Sequence, residues 1–196
     1  MALTRLGPNQ SVNLASNVTG TLPVANGGTA LSSGFVNGGG VTEADQWRVT
    51  SNFTGDANPV ASNWERNDLN FDKIGTGMTE SSGIFTFPST GIWEIKYEGV
   101  SQIGGNAQNR WNDWKIEATT NDSSYSLIGA TGNSGALSNT ANSQYSSAQS
   151  SVIFDVTNVS THKVRFTIDV DNGSTSQMGA STYQYHGATF IRLGDT

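Results

Sequence analysis

The sequence has no cysteine and little charge, and both absences limit what the chain can be. Without cysteine, neither a disulfide framework nor a thiolate metal site can form, so packing or association must stabilise the fold. Charged residues make up 13% of the 196 residues, against roughly 25% in an average domain. Glycine is abundant instead, with 23 residues. Ser, Thr, Asn and Gln must therefore form most of the surface.

Positive charge is scarce as well. Lys and Arg number 10 against 16 Asp and Glu, which gives a net charge of −6. A chain of this charge offers no electrostatic surface for phosphate backbones, so nucleic acid is not expected as a partner. No apolar run approaches the roughly 20 residues that span a bilayer, and the N-terminus lacks the apolar core of a signal peptide. We expect that the chain does not insert into a membrane and that it is assembled in a cytoplasm.

Motifs for catalysis are missing too. The sequence has two histidines, His162 and His186, and no nucleophile elbow, phosphate-binding loop or His-Glu-x-x-His motif accompanies them. Asp68 and Asp72, if both lie on one strand, are about 13 Å apart. Paired glycosidase carboxylates are separated by about 5 to 9.5 Å. We therefore expect no catalytic residue, no enzyme activity, no cofactor and no metal.

Strict alternation is what the sequence has most clearly. Trp93, Ile95 and Tyr97 alternate with charged residues, the period-two pattern of a half-buried strand. Similar patterns predict strands over 47–53, 69–74, 84–87, 92–97, 114–118, 125–128, 151–156, 163–170 and 183–193. Residues 129–150 carry almost no apolar side chain and are interpreted as a long surface loop or an edge excursion. These features predict an all-β fold, a two-sheet antiparallel jelly roll.

Short motifs within this pattern resemble a known family. Phe71-Asp72-Lys73-Ile74, the stretch from Ser82 to Pro88, and Gly91-Ile92-Trp93 follow one another as in the globular-head family of complement recognition proteins. Those heads have the tumour-necrosis-factor-like jelly roll. The resemblance implies a homotrimer that assembles through one apolar sheet face. The isoleucines at outward strand positions are the predicted trimer interface: Ile84, Ile92, Ile153 and Ile191.

The stretch from Asp169 to Gly173 has a fragment of calcium-loop character but lacks the distant Glu of such loops. A hairpin turn is the favoured interpretation. The family resemblance leaves a weak calcium site open, because some complement-type heads bind calcium, but it names no ligands.

Residues 1–40 are predicted to be an extended arm that ends in the glycine triplet 38–40, a flexible joint before a head over residues 41–196. Within the arm, Leu22 to Thr29 is similar to a segment that recurs in fibre proteins of tailed bacteriophages. This resemblance implies a virion-surface protein whose arm binds other virion proteins. A disordered tail is the alternative interpretation of the arm.

The two resemblances leave two functions open. The head is an adhesin that binds a glycan or protein of the host surface, or it is a capsid or tail decoration without a receptor role, which the short arm favours. Exposed aromatic rings bind such ligands well, because they offer large contact area at small entropic cost. The predicted ligand-binding residues, each of which also fits core packing, are Trp111, Tyr125, Tyr145 and Tyr183.

Overall fold

The computed structural model describes residues 40–69, 71–105, 107–134 and 142–196, so the predicted arm lies outside the described residues except for Gly40. The described part contains thirteen β-strands and no helix. The strands are β1 (Ala44–Val49), β2 (Phe53–Thr54), β3 (Trp64–Arg66), β4 (Lys73–Ile74), β5 (Thr79–Ser81), β6 (Ile84–Thr86), β7 (Gly91–Ile103), β8 (Trp111–Thr119), β9 (Ser126–Ser134), β10 (Gln144–Val156), β11 (Lys163–Val170), β12 (Ser176–Gln177) and β13 (Gly187–Gly194). Nowhere in these ranges is there a helix long and apolar enough to span a membrane.

The strands form two antiparallel sheets, which confirms the predicted jelly roll. The eight-stranded large sheet has the order β2-β12-β7-β13-β1-β3, with β10 paired to β7 and β4 paired to β1. The five-stranded small sheet has the order β5-β6-β11-β8-β9. Strands distant in sequence, such as β1 and β13, are direct neighbours, as in other jelly rolls.

The core fills the space between the sheets and is rich in aromatic rings. Trp93, Ile95 and Tyr97 of β7 are almost fully buried, as their alternation predicts. The Tyr97 ring stacks on that of Phe166 from β11, with 4.5 Å between ring centroids, so the large sheet contacts the small sheet at the middle of the sandwich. Such aromatic pairs contribute about 0.5–1.5 kcal/mol beyond the burial of their area.

The predicted first strand, 47–53, is wrong in its second half. β1 ends at Val49, and Ser51 is exposed in a turn before β2. Arg48, on the face of β1 opposite Trp47 and Val49, is 1% exposed. Its guanidinium donates to Glu65 Oε2 at 2.7 Å and to Asn67 Oδ1 at 2.9 Å, because the chain after β3 covers it. Burial of Arg48 is therefore compensated by a carboxylate and an amide.

The predicted strand 69–74 is also shorter than expected. Among the residues of this range that the structure describes, only Lys73 and Ile74 pair, with β1, because Asp72 has a φ of 76°, which no strand tolerates. Asp68 lies in a turn and pairs with Arg48 at 3.1 Å. Asp68 and Asp72 do not share a strand, so the separation of about 13 Å expected on one strand does not apply to them. Asp68 instead forms an ion pair with Arg48.

Of the two interpretations of residues 129–150, the long surface loop is wrong for most of the described residues, which form strands at sheet edges and so agree with the edge excursion. β9 continues to Ser134, and β10 begins at Gln144 and pairs with β7 over its whole length, from Gln144 opposite Ile103 to Val156 opposite Gly91. Backbone hydrogen bonds form this ladder irrespective of side-chain hydrophobicity, so small polar residues hide the strand from a pattern search.

The closing strand was predicted to begin at Tyr183 but begins at Gly187. The residues before it cross the outer surface of the large sheet, where Gln184 binds Glu98 of β7.

Candidate functional site

The outer face of the small sheet carries cross-strand ion pairs. Arg165 of β11 pairs with Glu117 of β8 at 2.7 Å, and Lys115 of β8 pairs with Asp169 of β11. Covering paired, hydrated charges with an apolar surface costs free energy, because the charges lose their water. This face is therefore suited to solvent.

The outer face of the large sheet has a different character. Consecutive strand partners form one row across it, which we call the isoleucine row: Ile74, Ala44, Ile191, Glu94 and Ile153, on β4, β1, β13, β7 and β10. Directly opposed residues in antiparallel strands share a face with Cβ atoms about 4.5–5.5 Å apart. Ile153 is 68% exposed and Ile74 is 41% exposed, so the row presents apolar surface.

The structure brings three of the predicted interface residues together. Ile153 and Ile191 flank Glu94, and Ile92 lies two residues before Glu94 on the same face of β7. Ile84, the fourth predicted interface residue, lies apart from them on β6 in the small sheet. Alternation separates inward from outward positions, but it cannot assign a strand to one of two sheets.

A groove lies towards the other end of the same face. We call it the polar groove; its volume is about 440 Å³ and its main lining side chains are Glu98, Val100, Ser147, Gln149, Gln184 and Tyr185. Glu98 is four residues beyond Glu94 on β7, which places the groove about 13 Å from the isoleucine row. The two features therefore occupy separate parts of one face.

Hydrogen bonds fix the polar side of the groove. Gln184 Nε2 donates to Glu98 Oε1 at 2.9 Å, and Lys96 Nζ lies 2.6 Å from Glu98 Oε2. Both carboxylate oxygens thus have partners, and the charge of Glu98 is balanced. Ser147 and Gln149 project from β10 with exposed side chains, so their hydrogen-bonding groups are available to a ligand.

Two of the four predicted ligand-binding aromatics flank this groove. Tyr183 is 53% exposed, and its ring is 4.9 Å from that of Tyr185 in an edge-to-face arrangement. Hydrogen bonding with Tyr185 raises the pKa of Tyr183 above its ordinary value, so its hydroxyl is neutral near pH 7. Tyr145 is 57% exposed and lies two residues before Ser147 on the same face.

The other two aromatics lie elsewhere. Trp111, 40% exposed, begins β8 on the small sheet. Tyr125 precedes β9 and lies under the guanidinium of Arg165, with 4.3 Å from Cζ to the ring centroid. Sequence reasoning missed most of the groove residues. The outward position of Glu98 was the available signal, since Ser147 and Gln149 belong to a stretch without hydrophobic contrast.

The histidines have structural positions. His186 is fully buried, and its Nε2 lies 2.7 Å from the hydroxyl of Tyr97. Burial lowers the pKa of His186 to about 3 and raises that of Tyr97 well above its usual value. His162 is 8% exposed and contacts Thr157 and Thr161 around its turn. Neither imidazole is placed to contact a substrate in solution.

The calcium-like stretch is a turn. Asn172 Oδ1 accepts from the backbone N–H of Ser174 at 2.9 Å. Asp169 pairs with Lys115, and Asp171 accepts from Arg110 Nε at 2.9 Å, which lowers the pKa of Asp171 to about 2. Within the described ranges, no three acidic or histidine side chains gather in a metal-binding arrangement. Both carboxylates are thus paired with a cationic side chain.

Comparisons with known proteins identify the fold of the chain. No protein-family model and no curated protein matches the sequence. Among solved structures, the chain is similar to the Eiger TNF of S. frugiperda, with 12% identity, a TM-score of 0.55 and coverage of 78% of this chain and 93% of that one. It is also similar to murine APRIL at pH 5.0, with 12% identity, a TM-score of 0.55 and coverage of 77% and 98%. These likenesses, at low identity, establish a tumour-necrosis-factor-like jelly roll.

Proposed function

We propose that the chain is a structural, non-enzymatic protein of a tailed-phage virion, a homotrimeric surface fibre or tip whose jelly-roll head binds the host surface. The isoleucine row carries this proposal. It is an apolar strip on a sheet face that an isolated head leaves in water, and a second copy of the chain is the occupant that the family resemblance implies.

The contrast between the two outer faces supports association through the large sheet. Burial of Ile153 and its neighbours gains about 25 cal/mol per Å² of apolar area. Burial of the ion pairs on the small sheet would cost more than their attraction returns. Glu94 interrupts the row and accepts from Ser151 Oγ at 3.1 Å, and burial of its charge would offset part of the apolar gain.

The virion part of the proposal rests on the sequence of the arm. Leu22 to Thr29 is similar to a segment of tailed-phage fibre proteins, and residues 1–40 join the head at the end of a glycine triplet. In this proposal the arm anchors the chain by binding other virion proteins. The head projects from the particle and recognises the host surface. The polar groove and its tyrosines support recognition as the role of the head.

The assembly is tested with a matched pair of substitutions. Ile153 belongs to the isoleucine row, whereas Ile84 lies on the small sheet. Ile153→Gln and Ile84→Gln therefore replace the same side chain on two different sheets. The full-length chain is expected to have three times its 20.7 kDa mass in solution. Ile153→Gln should lower this mass, and Ile84→Gln should not. A monomeric wild-type chain would contradict the trimer.

The attachment role is tested on particles. An antibody to residues 41–196 should label the tail or its fibres in electron micrographs. Alanine at Tyr145 and Tyr183 should reduce adsorption to host cells, while Leu127→Ala, an exposed position on the small sheet, leaves it unchanged. Label spread over the capsid together with unchanged adsorption would contradict the adhesin and favour the decoration protein that the short arm suggests.

A further inference from the structure

We infer that the polar groove binds a neutral saccharide. The inference specifies the ligand class of the proposed adhesin, and it rests on that role only for the source of the sugar, a glycan of the host surface.

The size and position of the groove suit a small ligand. Its volume of about 440 Å³ falls within the roughly 300–1,000 Å³ of small-molecule sites. Strands β7 and β10 form its floor through a continuous ladder, and the segment of Gln184 and Tyr185 forms one wall. A site built on paired strands holds its side chains in fixed positions, which reduces the entropic cost of binding.

The hydrogen-bonding groups match a ligand rich in hydroxyls. A sugar hydroxyl both donates and accepts, and so needs partners of both kinds. Gln149 supplies an amide with both, Ser147 supplies a hydroxyl, and the carboxylate of Glu98 supplies acceptor oxygens. The side chains of Ser147 and Gln149 are exposed at the surface, so a ligand can reach them without displacing protein.

The tyrosines supply the apolar part of the recognition. One face of a sugar ring consists largely of C–H groups, and it packs against aromatic rings that also carry a polar edge. Tyr185 lines the groove and Tyr183 lies against it, while Tyr145 stands on the β10 side. Tyr185 therefore offers an aromatic surface beside the polar floor, and Tyr183 and Tyr145 lie near the residues that line the groove.

Charge selects a neutral sugar over an acidic one. The lining residues include no Lys or Arg, and Lys96, two residues before Glu98 on the same face of β7, is already paired with Glu98 at 2.6 Å. A carboxylate or sulfate on the ligand would therefore lie near Glu98 without a free cation to balance it. The net charge of −6 adds a further repulsion.

The experiment titrates the full-length protein with lactose, maltose and chitobiose as neutral probes and with sialyllactose as the acidic comparison. Saturation-transfer NMR detects contact, and calorimetry gives the affinity. At least one neutral probe should bind, and sialyllactose should bind more weakly than lactose. Ser147→Arg, an exposed position, should block the groove, and Tyr185→Ala should weaken binding about fivefold through loss of aromatic contact. Leu127→Ala, an exposed position on β9 of the small sheet, should bind as the wild type does.

Three outcomes would overturn the inference: no neutral probe binds, binding survives Ser147→Arg, or sialyllactose binds better than lactose. Solution mass and particle adsorption, measured on the same variants, separate this inference from the proposed function. If Ser147→Arg abolishes adsorption but no saccharide binds, the groove recognises another ligand class and the adhesin stands. If the wild type binds a saccharide and Ser147→Arg loses this binding while adsorption is unchanged, the groove binds sugar but the adhesin role is wrong.

Discussion

At the scale of single residues, Gly99 lies where the indole of Trp114 reaches the backbone of β7. A Cβ atom at position 99 would be 2.0 Å from Trp114 Cη2, far inside van der Waals contact. Trp114 is fully buried between the sheets and has no free space to move into. Glycine at this position is therefore a packing requirement of the sandwich.

We expect Gly99→Ala to lower the free energy of unfolding by about 3 kcal/mol or more, because overpacking a rigid core forces the indole and the strand apart. Denaturant titration measures the change. Gly173→Ala is the matched control, because a Cβ atom there would meet nothing within 4 Å. Similar stabilities for the two variants would show that the core yields at Trp114.

His186 makes stability depend on pH. Its folded pKa is lowered to about 3 by burial, whereas an unfolded histidine titrates near 6.5. The unfolded chain thus binds an extra proton between these values, so the stabilisation is complete above about pH 6.5 and is lost as the pH falls towards 3.

We expect this residue to remove about 2 kcal/mol of stability between neutral pH and about pH 5. His186→Gln, which keeps a hydrogen-bonding group near Tyr97, should lose that part of the pH dependence in denaturant titrations. NMR titration of the wild-type imidazole gives an independent measurement. A His186 ring that gains its proton near pH 6 in the folded protein would contradict the expectation.

At the scale of elements, Asp45 joins β1 to two other parts of the large sheet's edge. Asp45 is 1% exposed. Its Oδ1 accepts from Arg66 Nε of β3 at 3.0 Å, and its Oδ2 accepts from the backbone N–H of Met78 at 2.7 Å and from Trp47 Nε1 at 2.9 Å. One carboxylate therefore fixes β3 and the segment before β5 against β1.

Asp45→Asn should cost about 3 kcal/mol of stability, because it leaves Arg66 without its charge partner and replaces an acceptor oxygen by a donor. Thermal and denaturant unfolding measure the loss. Asp195→Asn is the control: Asp195 pairs with Arg192 but is 93% exposed, and exposed pairs contribute roughly 0–1 kcal/mol. Equal losses in the two variants would refute a special role of the buried carboxylate.

Predictability also differed between elements. β7 and β11 were recognisable, because Trp93, Ile95 and Tyr97 in the first and the alternation from Val164 to Val170 in the second mark one buried face. The first half of β10 was not, because Ser, Gln and Ala carry no hydrophobic contrast and the strand exists through its ladder with β7. For the groove, sequence supplied Tyr145 and Tyr183, whereas Gln184 and Tyr185 gained their roles from the path of the chain across β7.

At the scale of the whole molecule, the proposed trimer would make the stability of the chain depend on protein concentration. A trimer that binds its own folded copies is stabilised by mass action, so its unfolding temperature rises with protein concentration. The wild-type Tm should therefore increase over a hundredfold range of concentration. The Tm of Ile153→Gln should increase less. A wild-type Tm independent of concentration would contradict an assembly in exchange with its monomers.

The sequence by itself determined the class of this protein: alternation in β7 and β11, turns rich in glycine, and the absence of cysteine lead to an all-β sandwich without disulfides. These properties are local, because period two and turn chemistry act within a few residues. The tertiary structure alone decided which sheet each strand joins, and hence that Ile84 lies apart from Ile153. It also decided that Arg48 and Asp45 are buried with partners and that Tyr183 contacts Tyr185 beside the polar groove. Such relations depend on contacts between distant parts of the chain, and local patterns do not encode them.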